Sequence, residues 1–248
     1  MAVIWTKATR DTHFEVRRAG RSIRLYTNGV FHSQFNAANP ISDTVWNLLL
    51  LPAFFGPSNR MQRVLVLGVG GGAIVRLLRQ FVQPERIVGV ELDPTHIEIA
   101  RRFFGVTPQI AELVEADAVD WLDRYRGPPF DLIVDDLFGE QDGEPVRAVE
   151  ADKKWLGLLS RNLSDDGVLV MNFIGTHALR AATAELREAM PGRFGGAFHL
   201  SLPDYENAVG AFIREPLSAR RLRDALRTAS APGVAKLGRL PFRIRRIQ

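Results

Sequence analysis

The sequence predicts a doubly wound α/β fold built on a mostly parallel sheet. Three observations carry that reading. Residues 61–213 alternate strand-like and helix-like segments, the order that produces a parallel sheet with helices on both faces. The segments at 64–67 and 132–134 are uniformly apolar, as strands covered on both faces are. Between the first of these strands and the next helix lies a glycine-rich turn, Val-Leu-Val-Leu-Gly-Val-Gly-Gly-Gly-Ala over residues 64–73.

The elements follow in order. Residues 1–58 read as a small β element with a short helix. The alternation of apolar and polar residues at 15–18 and 22–26, around Ala19-Gly20, fits a hairpin. Thr27-Asn28-Gly29 is a second turn, followed by Val30-Phe31-His32. A helix starts with Ser42 or Asp43 as N-cap and ends near Pro52. Residues 59–230 form the cofactor-binding domain. Its expected strands are 63–68, 86–91, 111–115, 131–135, 167–173, 196–201 and 208–214, the last two an antiparallel hairpin. Its expected helices are 72–82, 94–104, 117–125, 150–162 and 177–190, with Asp93-Pro94 as a helix start and Gly105 as a stop. Residues 217–229 read as an arginine-rich helix. The stretch 231–248, with Pro232 and Pro241, reads as a basic, irregular tail.

Composition narrows the function. With 248 residues, 46% hydrophobic and 24% charged, the chain suits one well-packed α/β domain plus an accessory element. It has no cysteine, which excludes disulfides, thiolate metal sites and a cysteine nucleophile, and is compatible with a cytoplasmic location. The five histidines lack ligand spacing, so no metal is expected. No apolar run reaches signal-peptide or membrane-spanning length; the longest, 48–55, is broken by Pro52. The net charge is +4, with a basic excess after Arg214. No aromatic residues interleave those arginines as a nucleic-acid platform requires, and the plainer reading is a solvated basic end.

In an open parallel sheet, ligands sit at the carboxyl ends of the strands. Four such ends carry suitable groups. Gly68, Gly70 and Gly72 form the turn, where the backbone approaches a ligand and the helix N-terminus offers free N–H groups. Glu91, about twenty residues on, is placed for ribose hydroxyls. Asp117, with Ala118, is placed for an adenine amino group. Asp135 and Asp136 close the strand at 131–135. Each has a plainer reading as a tight turn, a surface acid, a helix cap or a strand end; their coincidence at four strand ends points to one cofactor site. Gly68, Gly70 and Ala73 also satisfy a dinucleotide pattern, so NAD competes with an adenosyl thioether.

Residues 63–76, Val88-Gly89-Val90-Glu91-Leu92-Asp93, Glu115-Ala116-Asp117-Ala118 and residues 130–136 together resemble the spermidine synthase (polyamine aminopropyltransferase) family, most strongly over 63–136. The resemblance implies a Rossmann-like, seven-stranded sheet of the S-adenosylmethionine-dependent methyltransferase type with a small N-terminal β element. It implies aminopropyl transfer from decarboxylated S-adenosylmethionine to a small amine. Asp136 would take the proton, with Asp135 as alternative or helper. It also implies a cytoplasmic homodimer joined through the N-terminal element. His32, with Gln34 nearby, falls where the family carries a glutamine at the cofactor, although a histidine in a half-buried hairpin is more often structural. Glu140 and Tyr205 are the candidate acceptor contacts, Tyr205 also reading as part of a plain turn. Besides His32, the chain departs from the family in three places. Gly71 stands where an aspartate holds the donor's amino group, and Gly139 where a second aspartate follows the catalytic one. Glu140 or Asp142 are the substitutes for the latter. The residues Thr44-Val45-Trp46-Asn47 replace a tyrosine-histidine-glutamate signature. The rival readings are a small-molecule methyltransferase and a non-catalytic nucleoside-binding relative.

Overall fold

The structure, a computed structural model, describes residues 1–56, 61–229 and 233–247. The expected region boundaries, 58/59 and 230/231, lie outside the described residues.

Four antiparallel strands open the chain: β1 (Ala2–Ala8), β2 (His13–Ala19), β3 (Ser22–Thr27) and β4 (Val30–Phe35). The sequence pattern misses β1 because its residues are almost all exposed and carry no alternation. The short helix α1 (Val45–Leu50) is capped by Thr44 rather than Ser42 or Asp43. Pro52 does not end it. A 3-10 turn over Leu51–Phe54 carries the chain on, since a proline near a helical start leaves no orphan donor. The whole apolar run is buried: Leu48 to Phe55 fills one face of the main sheet.

That main sheet has eight strands. In chain order they are β5 (Arg63–Leu67), β6 (Arg86–Glu91), β7 (Glu112–Glu115), β8 (Phe130–Asp135), β11 (Leu163–Ile174), β12 (Gly196–Ser201), β13 (Asn207–Ile213) and β14 (Arg243–Arg246). Their spatial order is β14-β12-β13-β11-β8-β5-β6-β7. The five from β11 to β7 run parallel, and β13, β12 and β14 are antiparallel. The strand order reverses between β5 and β8, which opens a crevice at their carboxyl ends. The fold is the expected doubly wound one. The eighth strand comes from the tail, which is not irregular in its described part: it holds a helical turn, α8 (Val234–Leu237), and β14. Four residues of arginine and isoleucine carry no strand pattern of their own. Pairing with β12 supplies it.

The helices are α2 (Ala73–Phe81), α3 (Pro94–Arg102), α4 (Ala118–Arg124), α5 (Lys153–Arg161), α6 (Gly175–Ala189) and α7 (Ala219–Thr228). They divide between the two sheet faces. In β5, Val64 and Val66 point toward α1, α2 and α7, while Leu65 and Leu67 point toward α4, α5 and α6. A hairpin, β9 (Phe138–Gln141) and β10 (Glu144–Arg147), follows β8 over the crevice. Its sequence, mixed glycine and acid, carries no strand signal.

The docked tail is testable. Phe242 is buried in the core, with the Arg223 guanidinium 4.9 Å from its ring centre. Phe242→Ala is expected to cost about 3 kcal/mol in urea unfolding, the usual loss for a buried phenylalanine. A loss below about 1 kcal/mol would mean that the tail does not pack.

Candidate active site

The crevice is built around one buried acid. Glu91 ends β6, only 8% exposed. Its Oε2 accepts from the backbone N–H groups of Val69 (2.9 Å) and Gly70 (2.8 Å). Its Oε1 accepts from Asp93 N (3.0 Å) and lies 3.5 Å from His96 Nδ1. Burial alone would raise the Glu91 pKa, but the His96 contact and these backbone donors outweigh it and hold the acid down at about 2. The far side of His96, Nε2, meets Thr27 Oγ1 at 2.9 Å, so the carboxylate links the glycine turn to the N-terminal sheet.

The turn itself needs glycine at Gly68. Its φ is +81°, and a Cβ there would lie 2.3 Å from the carbonyl oxygen of Asp136. Backbone therefore touches backbone where β5 and β8 separate. Asp136 N donates to Leu67 O (2.9 Å) and Gly68 N to Val90 O (3.0 Å). Gly72 has a different task. It caps α2 and lies against Val106, whose Cγ2 would be 2.6 Å from a Cβ. It does not line the cavity.

The two aspartates separate cleanly. Asp135 is fully buried. Its Oδ2 accepts from Trp155 Nε1 and Arg147 Nη2, both at 2.9 Å. It is a structural anchor that ties α5 and the β9–β10 hairpin to β8, and it does not line the cavity. Asp136 does. Its Oδ1 accepts from Asn172 Nδ2 (2.8 Å), and Asn172 Oδ1 accepts from Asn207 Nδ2 (3.0 Å). No hydrogen bond to its Oδ2 occurs among the described residues. Burial pushes the Asp136 pKa up to about 6; neighbouring Asp135 adds to this, and Asn172 and Arg147 oppose it.

Asp136, Asn172 and Asn207 share a cavity of about 870 Å³ with Gly68, Gly70, Glu91, Asp117, Ala118, His32, Glu140 and Tyr205. Asp117 also caps α4, its Oδ1 accepting from Asp120 N at 2.9 Å, which is the plainer reading of this residue. His32 reaches the cavity because β4 bulges there: Tyr26 pairs with Phe31 and Leu25 with Ser33, leaving His32 as the extra residue. Its Nε2 is buried with no partner among the described residues, and burial, aided by His96, lowers its pKa to about 4, so the ring is neutral at pH 7. Gln34 stays outside the cavity, accepting from Arg24 Nε at 2.5 Å. Glu140 is held at the rim by Asn28 Nδ2 (3.0 Å) and Gly143 N (2.6 Å), which fastens the hairpin to the β3–β4 turn. Asp142 sits in that hairpin's turn. Burial raises the Tyr205 pKa.

Seven carboxylates line the cavity (Glu91, Asp93, Asp117, Asp136, Glu140, Glu144 and Glu206), and no lysine or arginine does among the described residues. Its field favours a cation. Phe31, Trp46, Phe138 and Tyr205 supply aromatic wall. Sequence reasoning missed Asn172 and His96. Asn172 had a signal, a lone amide inside the apolar strand Val170-Met171-Asn172-Phe173. His96 had none, since its sequence context is that of any helix-face histidine.

With this geometry in view, comparison with known proteins is informative. The spermine/spermidine synthase domain profile matches residues 48–208, more than half of the chain. The chain belongs to this family. Polyamine aminopropyltransferase 2 of Caldanaerobacter subterraneus subsp. tengcongensis is 33% identical over 91 residues, covering 36% of this chain and 30% of that protein. The chain spans less than half the length of the curated relatives it matches. Among solved structures, a probable spermidine synthase from Corynebacterium glutamicum superposes with a TM-score of 0.74 at 15% identity, covering 99% of this chain and 91% of that one. Human methyltransferase-like protein 13, solved in complex with SAH, gives 0.60 at 20% identity, covering 79% and 90%. Both likenesses show the fold.

Against the family pattern, Gly71 is the telling residue. A Cβ at Gly71 would lie 2.6 Å from Phe104 Cζ and 2.8 Å from Ser33 Cβ. The room for an acid is filled by Phe104 and Ser33, whose Oγ accepts from Ala73 N (3.3 Å) at the α2 N-terminus. Gly139, by contrast, has open space around it, and Glu140 beside it supplies a cavity carboxylate.

Asp135→Ala leaves the Arg147 charge and the Trp155 N–H unpaired in the interior. It is expected to cost about 3–5 kcal/mol in denaturant unfolding. Asp136→Asn, which keeps the Asn172 neighbour and removes a charge that burial disfavours, is expected to leave the midpoint unchanged or raise it.

Proposed function

We propose that the chain is a transferase that binds decarboxylated S-adenosylmethionine as cosubstrate and passes its aminopropyl group to a small amine. The observation that carries this is Asp136: a carboxylate at the β8 exit, fixed through one oxygen by Asn172, with the other open to an acidic cavity. The residues present suit an adenosyl group. Glu91 holds the glycine turn in shape, Asp117 and Ala118 lie on the same wall, and His32 Nε2 lacks a partner among the described residues. Asn172 aims Asp136, and the cavity's carboxylates attract the cationic amine and disfavour anions. Asp136 takes a proton from the acceptor nitrogen, whose lone pair forms the new C–N bond as the C–S bond breaks. The sulfonium charge is thereby neutralised and methylthioadenosine leaves. The proton on Asp136 then passes to solvent. The homodimer expected from the family is supported by β1, whose exposed Val3 and Ile4 offer an apolar outer strand.

One observation favours a second reading. With Phe104 and Ser33 occupying the place of the donor-binding acid, nothing at Gly71 holds a donor ammonium. In methyl transfer from S-adenosylmethionine the amino-bearing chain stays on sulfur and is not the group aimed at the acceptor, and its carboxylate gains from the lack of an acid there.

Mass spectrometry of reactions with each donor and a panel of amines separates the two by the mass gained. Aminopropyl products from the decarboxylated donor support the first reading; methyl products alone support the second. Asp136→Asn is expected to lower transfer about 10²–10⁴-fold, the range for a positioned base. Because the base form is the working one and its pKa is raised, kcat/KM is expected to climb tenfold per pH unit below about 6 and level off above it. A profile flat from pH 5 to 8 would exclude Asp136 as the base.

A further inference from the structure

A second cleft, of about 530 Å³, opens between α6 and the sheet edge formed by β12 and β14. Its charge is the reverse of the main cavity's. Arg180 and Arg187 reach it from α6, Arg245 and Arg246 from β14, and His199 from β12. No carboxylate lines it among the described residues. Nor can α6 supply one locally. The residues three and four positions from Arg180 are His177, Thr183, Thr176 and Ala184, none of them acidic. Arg187 gives one N–H to Ile247 O (2.8 Å) and Arg246 one to Gly195 O (3.0 Å), and a guanidinium has several more to offer.

His199 is the independent sign of a missing ligand. Its strand partner in β14 is Arg245. Its Nε2 is buried and has no hydrogen-bond partner among the described residues, and the residue lines the cleft. Arg180 and Arg245 line the same cleft as the ring; burial lowers the His199 pKa, and these two charges lower it further. Like charges gathered around an unsatisfied nitrogen are costly unless an anion joins them.

We propose that this cleft binds a small phosphate-bearing ligand through Arg180, Arg187 and Arg245, with His199 contributing its ring nitrogen. Planar guanidinium forks match phosphate oxygens in pairs, and several of them deliver the charge that a dianion needs. The volume suits a small molecule. Apart from the His199 ring, the wall carries no aromatic surface among the described residues on which a nucleic-acid base could stack. A groove lined by Thr176, His199 and Arg243 adjoins both the cleft and the Asp136 cavity, sharing Ile174, Tyr205, Glu206 and Asn207 with the latter, so its one carboxylate, Glu206, lies on the side of the Asp136 cavity. Anion binding here stands independently of transfer at Asp136.

The test uses the full chain, with inorganic pyrophosphate as the probe, in calorimetry and in NMR titration of the His199 ring. Saturable binding that shifts the His199 resonances is expected. Affinity should fall at least tenfold in Arg180→Gln and in Arg245→Gln, both mostly surface side chains, and stay unchanged in Asp136→Asn. Absence of saturable binding at millimolar pyrophosphate, or an affinity in both arginine variants equal to that of the native chain, overturns the proposal. A short single-stranded oligonucleotide identifies the phosphate's source. If pyrophosphate displaces it, the small-anion site stands. If it binds and pyrophosphate cannot displace it, the basic edge is a nucleic-acid surface and the proposal fails.

Discussion

The carboxylate of Glu91 holds this site together. Three backbone N–H groups, from Val69, Gly70 and Asp93, converge on it, and His96 faces it. The glycine turn has no side chains of its own with which to keep a shape; the acid at the end of the neighbouring strand keeps it instead. A buried, multiply hydrogen-bonded carboxylate stays charged where burial alone would neutralise it. Through His96 and Thr27 the same group fixes where the N-terminal sheet stands, and so where His32 and Asn28 meet the cavity.

Two adjacent aspartates at the end of β8 show how a one-residue step decides between architecture and chemistry. Alternate residues of a strand face opposite sides. Asp135 turns into the layer of α5 and is consumed by Trp155 and Arg147. Asp136 turns into the crevice and keeps an oxygen free. The first fixes the path of the hairpin that covers the second. Asn172, one strand over, then sets the angle of Asp136 and is itself held by Asn207. Fold and site thus share a chain of polar contacts running from β8 to β13.

The central sheet was legible because its signals are local: apolar strands, a glycine turn, an Asp-Pro helix start. Glu91, Asp117 and Asp136 were legible for the same reason, each ending a recognisable strand. Most of what escaped depends on partners distant in the chain. β14 is a strand only because β12 offers an edge; the β9–β10 hairpin is local and escaped instead because its mixed glycine and acid sequence carries no strand pattern. Gln34 could not be separated from His32 by sequence, since the bulge that turns one inward and leaves the other on Arg24 arises from the register of β3 on β4. Gly72 reads in sequence as part of the cradle, and only the packing of Val106 shows its task.

Gly71 is one of the positions where this chain departs from the pattern its resemblance implies, with Phe104 and Ser33 closed over it. That substitution bears on how a donor's far end is held, and leaves the adenosyl end to the Glu91 cradle. The account therefore turns on whether the cradle takes an adenosyl thioether at all. Calorimetry with methylthioadenosine, which carries the adenosyl end and no aminopropyl group, tests this most directly. The account predicts saturable binding to the native chain and its loss in Glu91→Gln, whose amide nitrogen cannot accept from the turn. Binding of NAD in place of methylthioadenosine, or equal binding of methylthioadenosine by Glu91→Gln, would contradict it.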